Sequence, residues 1–438
     1  MGSLFDKVRS EQNLFSAWRH VKRSALNSDN LEIRGFAAEF EYQHQKHLRR
    51  FACQLREDRF QFDAAKGVLK DKKKRVADGK DPRPIAIATL KNRVVQRAIL
   101  QVLQPRLTRD IRNTETRYET AVDPKLGKIN EINRSKFGVG GLLFPYGGVR
   151  PAITRITSSI NAGSRYFFQS DIRAFFTKIP TKNVVEFVRR ETGDDQLSDL
   201  FAEGLKIELS NKDELETYAK LFPSGGIGVA QGSSLSAFAG NVLLFELDHE
   251  LNSETVTSVR YIDDILMVSS SVDELDKAIS HAKRRLDEFG FSLYEPVSGS
   301  DKAARGECSN SFNFLGCTIQ PNRCVPSARS LDNLRTSVAS TLSASKHAIN
   351  ETIHSKKEFN RKMAQSAVLQ TLGKKIFGWQ KSFSFCTDTL PFKQLDEYII
   401  AQISDYENFL LRKLAKIDSR TKMMILGIPS AEELHRLT

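Results

Sequence analysis

The chain has 438 residues, 40% of them hydrophobic and 27% charged, which is enough apolar material for two or three domains and too much for a chain disordered throughout. Its 66 Lys and Arg against 53 Asp and Glu leave a formal charge of +13, which points to a polyanionic partner. No apolar run reaches the length of a membrane span and no signal-peptide pattern opens the chain; the five cysteines are odd in number and contain no CxxC pair, which argues against a disulfide framework or a zinc ribbon and fits a cytoplasmic protein.

Residues 1 to about 60 read as charged helices, with Phe15, Trp18, Val21, Phe36 and Phe40 supplying an apolar face. A cationic stretch follows, from Lys66 through Lys72, Lys73, Lys74 and Arg75 to Lys80, ending in the turn signal Gly79-Lys80-Asp81-Pro82. Such a lysine run is a solvated hairpin or helix face, or a phosphate contact. Arg83 to Ala88 alternates like a strand. Lys91 to Leu100 has helical spacing, and Pro105 marks the end of that helix. Residues 110 to 150 are polar and then glycine-rich, a long loop region feeding a helix over Pro151 to Asn161.

Arg165 to Asp171 reads as an aromatic strand with Asp171 at its end, and 182 to 220 as mostly helical. Gln231-Gly232-Ser233-Ser234 opens a helix running through Leu251, with Ser233 or Ser234 as its N-cap. A hairpin at 256–270 and a helix at 272–289 with Gly290 as C-cap come next. From about 325 the chain is helical again, with Phe392, Leu395, Ile399, Ile403, Tyr406 and Leu410 in phase. Cys308, Cys317 and Cys324 lie close in sequence without a histidine at ligand spacing and read as ordinary strand and loop residues.

The hairpin carries Tyr261-Ile262-Asp263-Asp264 between two apolar runs. Adjacent carboxylates at an apolar tip are destabilising unless a cation binds them, and a pair of divalent ions serving phosphoryl transfer is the economical candidate. Strand alternation predicts divided roles, Asp263 ligating directly and Asp264 less directly. Asp171, at the end of its own strand, is the best third carboxylate. A chance Tyr-x-Asp-Asp arises in roughly a few per cent of chains this long, so the tetrapeptide gains weight only from what accompanies it.

That company is an ordered set: Arg83-Pro84-Ile85, Arg93-Val94-Val95-Gln96, Asp171 with Phe175-Phe176, Gln231-Gly232-Ser233-Ser234-Leu235-Ser236, the Tyr261 tetrapeptide, and Phe314-Leu315-Gly316. Over about residues 60 to 410 it resembles the reverse transcriptase family. Tyr146-Gly147-Gly148-Val149-Arg150-Pro151 is similar to a loop of the group II intron lineage, and Gly378-Trp379 with Phe392 to Asp396 looks like its thumb. The resemblance implies an α+β right-hand polymerase: an N-terminal helical extension at 1–60, fingers at 61–125, a palm of antiparallel sheet plus helices with remaining finger elements at 126–325, and a helical thumb with C-terminal helices at 326–438.

Carried over position by position, the resemblance makes Asp171, Asp263 and Asp264 catalytic, and Asp171, Ile172, Asp263 and Asp264 the metal positions for two Mg²⁺ ions, with Mn²⁺ as the alternative. Arg83, Arg93, Phe176, Gln231, Gly232, Tyr261 and Lys302 become the nucleotide site, Arg83 on the triphosphate and Phe176 as the gate against a ribose 2′-hydroxyl. Phe314, Leu315 and Gly316 become the primer grip. Ala230 stands where family members often have proline. The retron triplet Val-Thr-Gly is missing, and no RNase H-like or endonuclease region follows the thumb, which turns the expectation toward the defence-associated bacterial enzymes of this family. The expected function is RNA-directed DNA synthesis on a dedicated noncoding RNA in antiphage defence. Its partners would be template RNA, DNA product and dNTPs, no membrane, and a homo-oligomer or a partner defence protein. An intron maturase and a template-independent or protein-primed polymerase are the alternatives.

Overall fold

A computed structural model describes residues 2–28, 30–79, 81–107, 119–355, 359–432 and 435. They fall into two compact units, Met1–Glu307 and Cys308–Thr438.

The first unit opens with helices α1 (Leu4–Arg9), α2 (Glu11–Ala25), α3 (Leu31–Tyr42) and α4 (His44–Arg56). Ser3 and Ser10 cap α1 and α2 by accepting main-chain N–H donors, as serine does at an N-cap. Trp18 is fully buried and its indole N–H donates to Glu41 (2.6 Å), so the ring loses no hydrogen bond on burial. Strands β1 (Lys66–Lys70) and β2 (Arg83–Ile87) pair antiparallel, with α5 (Lys72–Ala77) between them. Apart from Lys80, which lies outside the described residues, the cationic run is therefore a hairpin arm crossed by a helical turn. Helix α6 (Leu90–Leu103) buries Val94, Val95, Ala98, Ile99, Val102 and Leu103, each contributing about 1.5–3 kcal/mol for the larger side chains. Asn13 of α2 donates to Ala98 O (3.0 Å) of α6, joining the N-terminal helices to this arm.

Of the loop region expected over 110–150, residues 110–118 lie outside the described residues. The rest contains the short α7 (Ile129–Ile132) and leads into α8 (Val149–Asn161). Strand β3 (Tyr166–Asp171), the short α9 (Phe175–Lys178), α10 (Thr181–Thr192), α11 (Asp195–Leu205) and α12 (Lys212–Leu215) follow. Helix α13 (Ser236–Glu250) is apolar nearly all round and correspondingly buried. Neither expected serine caps it. Leu235 occupies the N-cap, while the Ser236 hydroxyl donates back to Ala230 O (2.7 Å), so the Gln231–Ser234 segment is a separate loop.

Strands β4 (Val256–Tyr261) and β5 (Asp264–Ser269), helix α14 (Val272–Asp287) and strand β6 (Ala303–Glu307) complete the unit. Helix α14 ends at Asp287 with Glu288 as its C-cap, and Gly290 takes the left-handed conformation two residues beyond the cap. The sheet order is β4-β5-β3-β6, antiparallel throughout, with helices packed on it around one core.

The second unit holds β7 (Phe312–Phe314), β8 (Cys317–Gln320) and β9 (Arg323–Pro326), then α15 (Ala328–Ser355), α16 (Gln365–Ser382), α17 (Leu390–Leu414) and α18 (Ser419–Leu426). Leu395, Ile399, Tyr406 and Leu410 of α17 face its core, as their spacing predicts. Phe314-Leu315-Gly316 is the turn of the β7–β8 hairpin. Leu315 and Gly316 both have positive φ (+48° and +79°), the two-residue geometry that matches strand twist. Among the described residues no helix is long and apolar enough to cross a membrane.

Candidate active site

Strands β4 and β5 are joined by only Ile262 and Asp263, with Tyr261 and Asp264 as the closing pair. A two-residue hairpin loop of this kind needs positive φ at its first position, usually met by Gly, Asn or Asp. Here it is Ile262, at φ +65°. A β-branched residue held there is strained by on the order of 1–3 kcal/mol, and such strain persists only where the surroundings impose it.

Asp171 ends β3 directly opposite Asp264 in the antiparallel register. Ile172 N–H donates to Asp263 O (2.7 Å), so the chain leaving β3 is tied to the turn. Asp171 N–H donates to Lys302 O (3.0 Å), and the Lys302 ammonium donates to the Asp171 carboxylate. Asp171, Ile172, Tyr261, Asp263, Asp264 and Lys302 thus come together at one end of the sheet. Strand alternation does not describe the aspartate pair, because Asp263 is a turn residue and only Asp264 belongs to a strand. Asp264 is the residue paired with Asp171.

The electrostatics show a site short of positive charge. Burial raises the Asp263 carboxyl above its ordinary range, and Asp171 adds to the effect while Lys302 and Arg83 oppose it. Asp264 is pushed up to about 8, by burial first, then by a hydrogen bond with Asp171 and by repulsion from Asp171 and Asp263. Burial and the Asp264 charge raise the Tyr261 phenol. For Lys302 burial favours the neutral amine, but the Asp171 hydrogen bond and charge outweigh it and the net shift is upward. The three carboxyl groups form a hard, all-oxygen donor set, with one ammonium and a guanidinium charge beside it. It suits a divalent cation, which would favour the ionised forms that the bare cluster disfavours.

What holds the turn was not legible as function in the sequence. Arg260 is only 2% exposed and donates to both oxygens of the buried Asp248 on α13 (2.8 and 2.6 Å), to Asn241 Oδ1 (3.1 Å) and to Ile262 O (2.8 Å). The glycine-rich segment lies against the same group. Val139 N–H donates to Arg260 O, Arg260 N–H to Phe137 O, and Asn241 to Gly140 O. A Cβ on Gly140 would stand 2.5 Å from Ile262 N. The available signal was an arginine in an apolar strand, with an acid on a largely apolar helix upstream.

Arg93, Gln231 and Gly232 line one cavity of about 350 Å³, together with His20, Ser24, Ile85, Arg97 and Ser234. Arg93 donates to Ser24 Oγ (2.9 Å). Arg97, one helical turn on, is the residue the sequence reading missed although i+4 spacing puts it on the same face. Burial, then Arg106, draws Arg97 down to about 10, and burial plus the surrounding arginines draw His20 down to about 4. The Ser234 hydroxyl is buried in this wall without a protein partner. A cavity with buried guanidinium groups and an unmatched hydroxyl suits an anionic, oxygen-rich ligand. Arg83 is exposed on β2, and its charge reaches Asp263.

The two phenylalanines after Asp171 divide. Phe175 is buried, 5.4 Å ring to ring from Phe291, and its ring occupies the space a side chain at Gly240 would need. Phe176 is half-buried, and its carbonyl accepts from Val229 N (2.7 Å), beside the Ala230-Gln231 segment.

Several solved structures align with the chain at low identity. A partial Cas6-RT-Cas1–Cas2 complex aligns over 66% of this chain and 42% of its own, with 20% identity and a TM-score of 0.36. Apo telomerase from Candida tropicalis aligns over 84% of this chain and 69% of its own, with 13% identity and a TM-score of 0.43. A form of that telomerase truncated from its C-terminal domain aligns over 61% and 55%, with 14% identity and a TM-score of 0.39. The chain spans about half the length of the first and last of these. No curated protein matches. The model of the family described as reverse transcriptase (RNA-dependent DNA polymerase) matches residues 68–319, more than half of the chain. The chain belongs to the reverse transcriptase family.

Proposed function

We propose that this protein extends a primer with deoxynucleotides on an RNA template, with Asp171, Asp263 and Asp264 as its catalytic carboxylates. The observation that carries the reading is the Asp171–Asp264 pairing across β3 and β5, with Asp263 in the adjoining turn: three mutually repelling carboxyl groups in one basic protein. Asp171, Asp263, Asp264 and the main-chain carbonyl of Ile172 would hold two divalent ions, with Mg²⁺ the ion matched to oxygen ligands. Bound there, the ions would lower the pKa of the primer 3′-hydroxyl and stabilise the leaving pyrophosphate. Arg83 and Arg93 orient the triphosphate by charge-assisted hydrogen bonds. Gln231 and Gly232 form the floor of the nucleotide cavity, and Tyr261, opposite Asp264, contacts the nucleotide from the carboxylate side. Phe176 stands against a 2′-hydroxyl. Lys302 balances Asp171 until cations replace it. Phe314, Leu315 and Gly316 serve as the primer grip, on a hairpin turn that presents main-chain groups.

In this reading residues 61–125 act as fingers, 126–325 as palm with remaining finger elements, 326–438 as thumb, and 1–60 as a helical extension on the fingers. We take the template to be a dedicated noncoding RNA and the setting to be bacterial antiphage defence, in a group II intron-like lineage. The loop at Tyr146–Pro151 supports the lineage, and the formal charge of +13 supports a nucleic-acid partner.

The test is purified full chain with its co-purifying RNA, Mg²⁺ and dNTPs, with the nucleic acid sequenced from wild type and Asp263→Ala. DNA complementary to the bound RNA in wild type only is the expected result. Equal synthesis by Asp263→Ala would falsify the catalytic assignment. Product unrelated to the RNA would replace templated copying by untemplated addition.

A further inference from the structure

The second unit brings Cys386 together with Cys317 and Cys324, two cysteines that lie far before it in sequence. Cys317 begins β8, Cys324 lies in β9, and Cys386 sits in the segment between α16 and α17. Their sulfurs all lie within 4.8 Å of one another. Cys317 and Cys324 are buried and Cys386 is half-buried.

The backbone explains why they meet. In the β8–β9 pair, Cys317 is opposite Pro326 and Ile319 is opposite Cys324. The two cysteines are thus diagonal neighbours, each two residues from the other's partner, and point to the same face of the sheet. The third is brought in by main-chain bonds. Thr387 N–H donates to Cys324 O (2.9 Å), Cys324 N–H donates to the Thr387 hydroxyl (2.9 Å), and Arg323 pairs with Asp388 (2.9 Å). Cys386 N–H donates to Phe383 O (3.0 Å), which turns the residue back toward β9.

A disulfide between Cys317 and Cys324 fits this arrangement poorly. Diagonal partners on antiparallel strands stand about 7–8 Å apart by Cα, beyond the roughly 4.4–6.8 Å that a disulfide spans. A tetrahedral thiolate site fits better. Zinc–sulfur bonds of about 2.3 Å put ligand sulfurs a little under 4 Å apart, inside the 4.8 Å within which these three sulfurs lie. Soft thiolates select a thiophilic ion and disfavour Mg²⁺.

We propose that Cys317, Cys324 and Cys386 bind one Zn²⁺ ion as thiolates, with water or a small anionic donor in the fourth position. The ion clips the α16–α17 segment to the β7–β9 sheet. Cys317 directly follows the Leu315-Gly316 turn, so the clip also fixes the conformation of that turn. The assignment is independent of the polymerase reading, because it rests on residues of the second unit alone and is read without any activity.

The test uses tag-free full chain, purified in reductant without chelator and analysed for metals by mass spectrometry. About one zinc per chain is expected in wild type, in Cys53→Ser and in Cys386→His, which keeps a ligand, and almost none in Cys386→Ser or Cys324→Ser. Should the serine variants not fold, the wild-type thermal transition is compared with and without a zinc-selective chelator. A fall on chelation supports the site, and an unchanged transition overturns it. The proposal is also overturned by wild-type protein that contains no zinc and fails to take up added Zn²⁺ against a zinc-binding dye. Copper in place of zinc, or a native disulfide among these three cysteines, overturns it equally.

Discussion

Arg260 and Asp248 face each other in a buried two-pronged ion pair, and the same guanidinium donates to the carbonyl of Ile262 inside the strained turn. The pair couples α13 to the hairpin tip that carries Asp263 and Asp264. Its chemistry is that of a positioning device: neither side chain belongs to the carboxylate cluster, yet both set where that cluster sits.

Removing one member of this pair leaves a charge buried without its partner, a loss of about 3–5 kcal/mol. Asp248→Ala is therefore expected to lower the urea midpoint strongly and to reduce DNA synthesis. The double variant Asp248→Leu, Arg260→Met replaces both charges by apolar groups, so stability should largely return while synthesis stays low, because the bond to Ile262 O is gone. Recovery of both properties together would show that the pair serves packing alone.

Gly140 tests the same tip from the other side. A methyl group there would press on Ile262 N at 2.5 Å and on Ile262 Cγ1 at 2.6 Å. The first contact is with backbone, which cannot rotate away. Overpacking of this kind costs about 1–3 kcal/mol. Gly140→Ala should cost that much by chemical denaturation and should lower the rate of nucleotide addition. Gly148→Ala is the comparison for lost glycine geometry without a clash, since nothing lies near its Cβ although its φ is +112°.

Phe175 and Phe176 are adjacent and should behave oppositely. Phe175 is core, so Phe175→Ala is expected to destabilise by about 3–5 kcal/mol, with loss of soluble protein. Phe176 is half-buried beside the loop of Gln231. Phe176→Ala should leave most of the stability and raise the use of ribonucleotides relative to deoxynucleotides, measured as the ratio of kcat/KM for each pair. An unchanged ratio removes Phe176 from the sugar contact.

How far the sequence could be read depended on the range of the forces involved. Local patterns placed α6, α8, β3, the 256–270 hairpin and α17 within a few residues, because alternation and helical spacing are set by near neighbours. The helix start after Gln231 was misplaced because Ser236 bonds back to Ala230, a tertiary closure that a cap-forming serine pattern does not reveal. The alternation argument for Asp263 and Asp264 does not apply for a similar reason: alternation holds within a strand, and Asp263 is a turn residue while Asp264 begins β5. Arg97, Arg260 and the meeting of Cys317 with Cys324 and Cys386 were hidden because each depends on which distant segments pack together.

The carboxylate cluster should make stability depend on pH in a direction opposite to that of a salt-bridged acid. The Asp264 carboxyl titrates at about 8 in the folded protein, against about 3.9 in an unfolded chain. Between those values the native state holds a proton that the unfolded state has lost, so stability falls as pH rises from about 4 to about 8 and levels off beyond. Asp263, shifted in the same direction, adds to the slope. Asp264→Asn cannot ionise and loses its share of that dependence. In chelator, variant and wild type should differ little near about pH 5, while at about pH 9 the variant should be more stable by on the order of 2 kcal/mol. Mg²⁺ should narrow the difference at high pH, because a bound cation favours the ionised wild-type carboxylate and finds a poorer ligand in the amide. Urea titrations at a series of pH values, with and without Mg²⁺, measure both effects. A gap that stays constant with pH would mean that Asp264 is ionised across the whole range, and that Asp171 and Asp263 do not crowd it.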